Sequence, residues 1–129
     1  MGGKFLLDTN IVIALFAGDE HIEKLLKEAE HVLVPSIVLG ELYFGAYNSR
    51  MKEENIKRIN EFATICPVIG PTAATALEYG RIKNNLKHSG TPIPENDIWI
   101  AALASQFDFQ IVTRDEHFEK IEGIALRQI

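Results

Sequence analysis

Four carboxylates stand where they could share one task. Asp8 directly follows an apolar run, Lys4-Phe5-Leu6-Leu7. Asp115 follows another, Phe109 to Thr113, after a single intervening residue, Arg114. Asp97 opens the most apolar stretch of the chain, Ile98 to Phe107. Glu41 lies five residues beyond Ser36, in the segment after a third apolar run, His31-Val32-Leu33-Val34. Gathered in one place, such side chains suit a hard divalent cation: Mg2+ takes a few carboxylates and completes its shell with water and substrate phosphate. Two such ions roughly 3.5–4 Å apart would clamp the attacking and leaving oxygens of a phosphodiester displacement. Zinc is disfavoured, because His21, His31, His88 and His117 are scattered and no pair has ligand spacing on one helix face. Mn2+ is the substitute such oxygen donors allow.

Each acid also has an ordinary local use. Asp8 could cap the following helix or close an Asx-turn with Thr9-Asn10. Asp97 could complement a helix dipole, and Asp115 could cap a short helix at Glu116. Glu41 has Ile37, Val38, Phe44 and Gly45 at helical spacing, so it is expected to face apolar surroundings, with no Lys or Arg within one turn. Its ordinary reading is a boundary residue that reaches solvent. The local account needs three caps and one misplaced Glu to fall on one edge by coincidence.

The elements that would bring these acids together alternate regularly. Strands are predicted at Lys4–Leu7, His31–Val34, Thr64–Ile69, Phe109–Thr113 and near Ile124–Leu126. Helices are predicted at Ile11–Ala17, Glu20–Glu30, Ile37–Tyr47 after a Ser36 N-cap, Lys52–Ala63, Ala73–Lys87, Ile98–Phe107 and Glu116–Ile121. Pro67 makes the third strand an edge strand or shortens it. Strands alternating with helices imply an α/β fold with a mainly parallel sheet of about five strands and helices on both faces. In such sheets ligands bind beyond the carboxyl ends of the strands, the edge to which the four acids belong.

The 129 residues fit one domain, 1–129, without a linker, repeat or low-complexity segment. A single cysteine, Cys66, excludes an internal disulfide. No apolar run approaches the ~20 residues of a membrane span. Met1-Gly2-Gly3-Lys4 leads straight into a strand, so no signal peptide is expected and the cytoplasm is the default location. A net charge of −5 argues against a passive nucleic-acid coat but not against an enzyme acting on nucleic acid.

Four segments in order carry a resemblance. Leu6-Leu7-Asp8-Thr9-Asn10-Ile11-Val12-Ile13, Pro35-Ser36-Ile37-Val38-Leu39-Gly40-Glu41-Leu42-Tyr43-Phe44-Gly45, Asn96-Asp97-Ile98-Trp99-Ile100-Ala101-Ala102 and Val112-Thr113-Arg114-Asp115-Glu116-His117-Phe118 resemble the motifs of PIN domains. The order and spacing cover nearly the whole chain and are most similar to VapC-type toxins of type II toxin–antitoxin systems. The resemblance implies a metal-dependent endoribonuclease that cuts structured RNA such as tRNA or rRNA. It implies Mg2+ held by Asp8, Asp97 and Asp115, with Glu41 completing the shell or orienting the attacking water. Thr113 matches a hydroxyl position beside the acids and Asn10 a polar position after the first. Glu95 is an extra acid to which nothing is assigned. The resemblance further implies a homodimer and a small antitoxin that covers the groove and places a basic side chain among the carboxylates.

RNA would have to reach an acidic pit. The acid-free run Arg81 to His88 offers Arg81, Lys83 and Lys87 as phosphate contacts, and Arg114 is either a fourth or the partner of a site carboxylate. Arg50, Lys52, Lys57 and Arg58 form a second patch, diluted by Glu53 and Glu54. Tyr43, Phe44 and Tyr47 are expected in the core, with an interface as the alternative. Two other functions remain open: a scaffold that keeps the fold without the reaction, and a phosphotransferase with an aspartate nucleophile. The latter would want a second Asp two residues after Asp8, where Asn10 stands. No glycine-rich loop suits a nucleotide-binding module.

Overall fold

The computed structural model describes residues 2–129. Its centre is β1 (Lys4–Leu7), whose Phe5, Leu6 and Leu7 are buried because the strand has neighbours on both edges and helices on both faces. The chain continues through α1 (Thr9–Phe16) and α2 (Glu20–Lys27) to β2 (His31–Pro35), then α3 (Ser36–Tyr47) and α4 (Lys52–Ile65) to β3 (Val68–Ile69). It returns through α5 (Ala73–Ser89) and α6 (Glu95–Phe107) to β4 (Gln110–Thr113), and ends with a 3-10 turn at His117–Lys120 and β5 (Leu126–Gln128).

All five strands are parallel, in the order β3-β2-β1-β4-β5. The chain builds outward from β1 through β2 to β3, then crosses back to place β4 on the other side of β1. The reversal falls between β1 and β4, with Leu6 opposite Ile111 and Leu7 opposite Val112. A crevice opens beyond the carboxyl ends of two such strands because their connections leave in opposite directions. Asp8 and the segment after Thr113 lie there.

α6 is buried nearly all round: Ile98 and every residue from Ile100 to Ala104 is in the core. Its alanines keep it slim, so α5 packs closely against it, and its first turn lies at the crevice. This helix carries Asp97.

Several boundaries differ from the sequence reading. α1 starts at Thr9 because Asp8 caps it, accepting from the Thr9 amide at 2.8 Å. Ser36 is the first residue of α3 rather than its cap, since Pro35 still belongs to β2 and pairs with Ile69. α4 persists to Ile65, which leaves only Val68 and Ile69 for the third strand; that strand does lie at the sheet edge, as Pro67 required. The predicted helix at Glu116–Ile121 is a single 3-10 turn. The last strand begins at Leu126, after a turn in which Gly123 takes φ 77°.

Candidate active site

Asp8 is only 4% exposed, yet both of its oxygens are engaged. Oδ1 accepts from the Thr9 amide, and Oδ2 accepts from Thr113 Oγ1 at 2.7 Å and Asn10 Nδ2 at 3.2 Å. Burial nonetheless pushes its pKa above the ordinary carboxylate value, helped by repulsion from Glu41 and Asp115; the hydrogen bonds from Thr113 and Thr9 act the other way. Thr113 is fully buried at the end of β4 and works in both directions, accepting the Asp115 amide at 2.9 Å while donating to Asp8. Asn10 Oδ1 accepts the Arg114 amide at 3.1 Å, tying the two strand ends together once more.

Asp97 enters from the first turn of α6 and is 8% exposed. Burial raises its pKa to about 6; the His117 hydrogen bond opposes this, and the charges of Asp8 and Asp115 add to it. His117 Nδ1 lies 2.9 Å from Asp97 Oδ2 and 3.0 Å from Asp115 Oδ2. The other Asp115 oxygen accepts the His117 amide at 2.9 Å, so a tight turn folds the imidazole back over its own neighbour. One donor atom each from Asp97, Asp115 and His117 lie within 4.8 Å of one another. Asp8 and Glu41 stand outside that trio.

Glu41 does not face the core. On α3 the buried positions are Val38, Leu42 and Ala46, whereas Ile37 is half-buried and Phe44 is 72% exposed. Glu41 is half-buried at the end of an open groove that Leu42, Gly45 and Ala46 also line, accepting from Thr9 Oγ1 at 2.8 Å. Glu41, Glu95, Asp97, Asp115 and His117 line one open depression of about 390 Å³. Phe44 and Tyr47 are exposed rather than in the core, because positions 44 and 47 point away from the Leu42–Ala46 face; only Tyr43 is half-buried.

The basic residues are placed differently. Arg114 pairs with Asp19 at 2.7 Å, and not with a site carboxylate; Asp19 also caps α2 through the Ile22 amide. Arg81 pairs with Glu78 at 2.8 Å one turn away. Lys83 pairs with Glu95, at the edge of the depression. Lys87 lines an apolar cleft with Lys83, Pro92, Ile93 and Glu95. In the second patch, Arg58 lies over the Phe16 ring at 5.4 Å.

The sequence reading gave His117 no role. Its signal was local: a His two residues after a strand-end Asp can return to that Asp within one turn. Spacing on a helix face could not reveal it, because its partners come from a 3-10 turn and a separate helix. The donor set of two carboxylates and one imidazole, beside a third buried carboxylate, fits a divalent cation. Positive charge there would offset the burial and mutual repulsion that raise Asp8 and Asp97.

An open parallel α/β sheet with acids converging at its switch point defines the class, and the model of the PIN domain matches residues 5–124. Ribonuclease VapC2 of Haemophilus influenzae is 36% identical over 127 residues, covering 96% of this chain and 95% of that protein. The tRNA(fMet)-specific endonuclease VapC of Salmonella typhimurium is 32% identical over 126 residues, covering 95% of this chain and 96% of that one. The structure superimposes on DNA-bound VapBC from Salmonella typhimurium with a TM-score of 0.89 and 31% identity, covering 99% of this chain and 98% of that chain. This chain belongs to the VapC ribonucleases of the PIN-domain family.

Proposed function

We propose that this chain is a Mg2+-dependent endoribonuclease of the toxin type, hydrolysing phosphodiester bonds of structured RNA such as tRNA or rRNA, with Mn2+ as a substitute ion. The convergence of Asp97, Asp115 and His117 on one point beside buried Asp8 carries this reading. Asp8, Asp97 and Asp115 would hold the ion, and His117 offers a nitrogen donor. A divalent cation there supplies positive charge to the phosphate and acidifies water beside it.

The remaining work falls to the chain itself. Thr113 fixes the Asp8 carboxylate, and Asn10 holds the loop after β4 against it. Glu41, steadied by Thr9, sits on the open side where a carboxylate can orient the attacking water and accept its proton. The name of the Salmonella relative supports tRNA as substrate. Arg81, Lys87 and Arg114 remain candidates for phosphate contact, whereas Lys83 is engaged by Glu95.

Structural neighbours include VapBC complexes, which supports a small antitoxin as partner. A groove of about 370 Å³ between α1, α3 and α4, lined by Ile13, Phe16, Leu42 and Ile59, runs to Thr9 and Glu41. It suits an apolar segment that ends with a basic side chain at the acids. A homodimer and a cytoplasmic location complete the reading; among the described residues no helix is long and apolar enough to cross a membrane.

The purified chain, incubated with a panel of tRNAs and rRNA fragments, should cut with Mg2+ and not in EDTA. Asp8→Asn should lower cleavage at least about 100-fold, as loss of a ligand charge at a metal site does. Cleavage of equal rate in EDTA, or in Asp8→Asn, would refute the proposal.

A further inference from the structure

A fourth acid shares the depression with Glu41, Asp97 and Asp115. Glu95 opens α6 two residues before Asp97, and the mechanism above has no use for it. Left free, its carboxylate would add negative charge at the mouth that phosphate must enter, and would offer surplus oxygens to the ion.

The structure shows it restrained. Tyr79 Oη on α5 lies 2.7 Å and 2.9 Å from the two Glu95 oxygens, and Lys83 Nζ forms an ion pair with the same carboxylate. Lys83 Nζ is also 3.2 Å from Tyr79 Oη and 5.5 Å from the centre of its ring. The tyrosine is fixed in turn by Trp99, stacked on it with ring centres 4.0 Å apart and planes at 16°. Tyr79 and Lys83 are one turn apart on α5; Glu95 and Trp99 are one turn apart on α6. An exposed Lys–Glu pair alone would wander and contribute little. Here a stacked, rigid phenol sets the direction, and the carboxylate is turned toward α5.

We infer that Tyr79 and Lys83 are positioning residues which hold Glu95 out of the ion's ligand set and neutralise it, so that RNA phosphate meets only the acids that bind the ion. This rests on the nuclease reading, and it assigns Lys83 an action through Glu95 rather than on RNA.

Lys83→Met, Glu95→Gln, the double variant and Tyr79→Phe decide it. Titration with Mn2+ alone and binding of tRNA in EDTA are the readouts, with thermal unfolding as a check on folding. Lys83→Met should bind Mn2+ about threefold tighter and tRNA about threefold to tenfold weaker, as expected for one uncompensated charge nearby. Tyr79→Phe should move both the same way by less. Adding Glu95→Gln to Lys83→Met should return both to within about twofold of wild type. If the double variant binds tRNA as weakly as Lys83→Met, Lys83 touches RNA directly and the inference is wrong; unchanged Mn2+ affinity in Lys83→Met also refutes it. A wild-type chain that cuts no RNA would remove the nuclease reading, while the Mn2+ titration would still decide the clamp.

Discussion

Thr113 donates its hydroxyl to Asp8 across 105 positions of sequence, at 2.7 Å and with neither residue open to solvent. That bond opposes the rise in the Asp8 pKa that burial causes, while the same oxygen receives the Asp115 amide. One side chain thus sets the relation between the ends of β1 and β4.

Thr113→Val keeps the shape and removes both bonds. A buried acceptor and a buried amide then lose their partner, which should cost about 1–3 kcal/mol in urea unfolding. Asp8 should titrate still higher, and RNA cleavage near neutral pH should fall about 10-fold to 100-fold. Wild-type kcat in this variant would show that the hydroxyl does not matter to the reaction.

Glu41 offers the opposite balance. It is half-buried on the open side, and among the described residues its side-chain hydrogen bond comes from Thr9, which can donate equally to an amide oxygen. Glu41→Gln should therefore change stability by less than about 0.5 kcal/mol, as substitutions away from packed features do. Its cleavage rate should nevertheless drop at least about 100-fold if the carboxylate takes up a proton from water. Loss of stability equal to that of Thr113→Val would mean the side chain is structural.

Acidity gives a third test. Asp97 has its folded pKa raised from 3.8 to about 6, chiefly by burial, and Asp8 is shifted the same way. A carboxylate so raised binds a proton on folding, so its contribution is fully present below about pH 4 and is lost as pH climbs through about 6. Asp19, Glu78 and Glu95, lowered by Arg114, Arg81 and Lys83, pull the other way, so the comparison must be with Asp97→Asn. In EDTA, wild type should lose more stability than Asp97→Asn between pH 4.5 and 7. Equal slopes would contradict the raised value.

Ion binding should follow the same acids. Mn2+ should raise the melting temperature of wild type by mass action, and more at pH 7 than at pH 5, because the cation displaces the proton on Asp97. Asp97→Asn and Asp115→Asn should each abolish most of that rise. A shift that survives both substitutions would place the ion elsewhere.

The groove proposed for the antitoxin allows partner binding to be tested apart from the reaction. Ile13 lines the groove, Phe44 is exposed on α3 outside its lining, and neither is among the acids. Ile13→Glu or Phe44→Glu should leave RNA cleavage within about twofold while weakening inhibition by the antitoxin at least about tenfold, as loss of an apolar anchor does. Full inhibition of both variants would move the antitoxin off this face.

The apolar runs Lys4–Leu7, His31–Val34 and Phe109–Thr113 announced the inner strands because a strand buried on both faces has no polar positions to spare. The same rule located Asp8 and Asp115 at strand ends and Asp97 at the head of the most buried helix. Where one face meets water, the signal weakened. Phe44 and Tyr47 read as core because their neighbours are apolar, and only the three-dimensional partnering of α3 shows that their side is bare. The third strand was overestimated because Cys66 and Pro67 are compatible with extended chain, while Phe62 packing inward carries α4 on to Ile65. The pairing of Arg114 with Asp19, and of His117 with Asp97, joins residues whose separation in sequence carries no period at all.

β4 is the fourth strand in the chain but sits second from one end of the sheet, against the first. The crevice is therefore finished late. A chain that stops after α5 carries Asp8 and Glu41 but lacks Asp97, Asp115 and His117, and also Thr113, which fixes Asp8. The proposed ion site therefore cannot assemble until the 40 residues that follow Ser89 have been added.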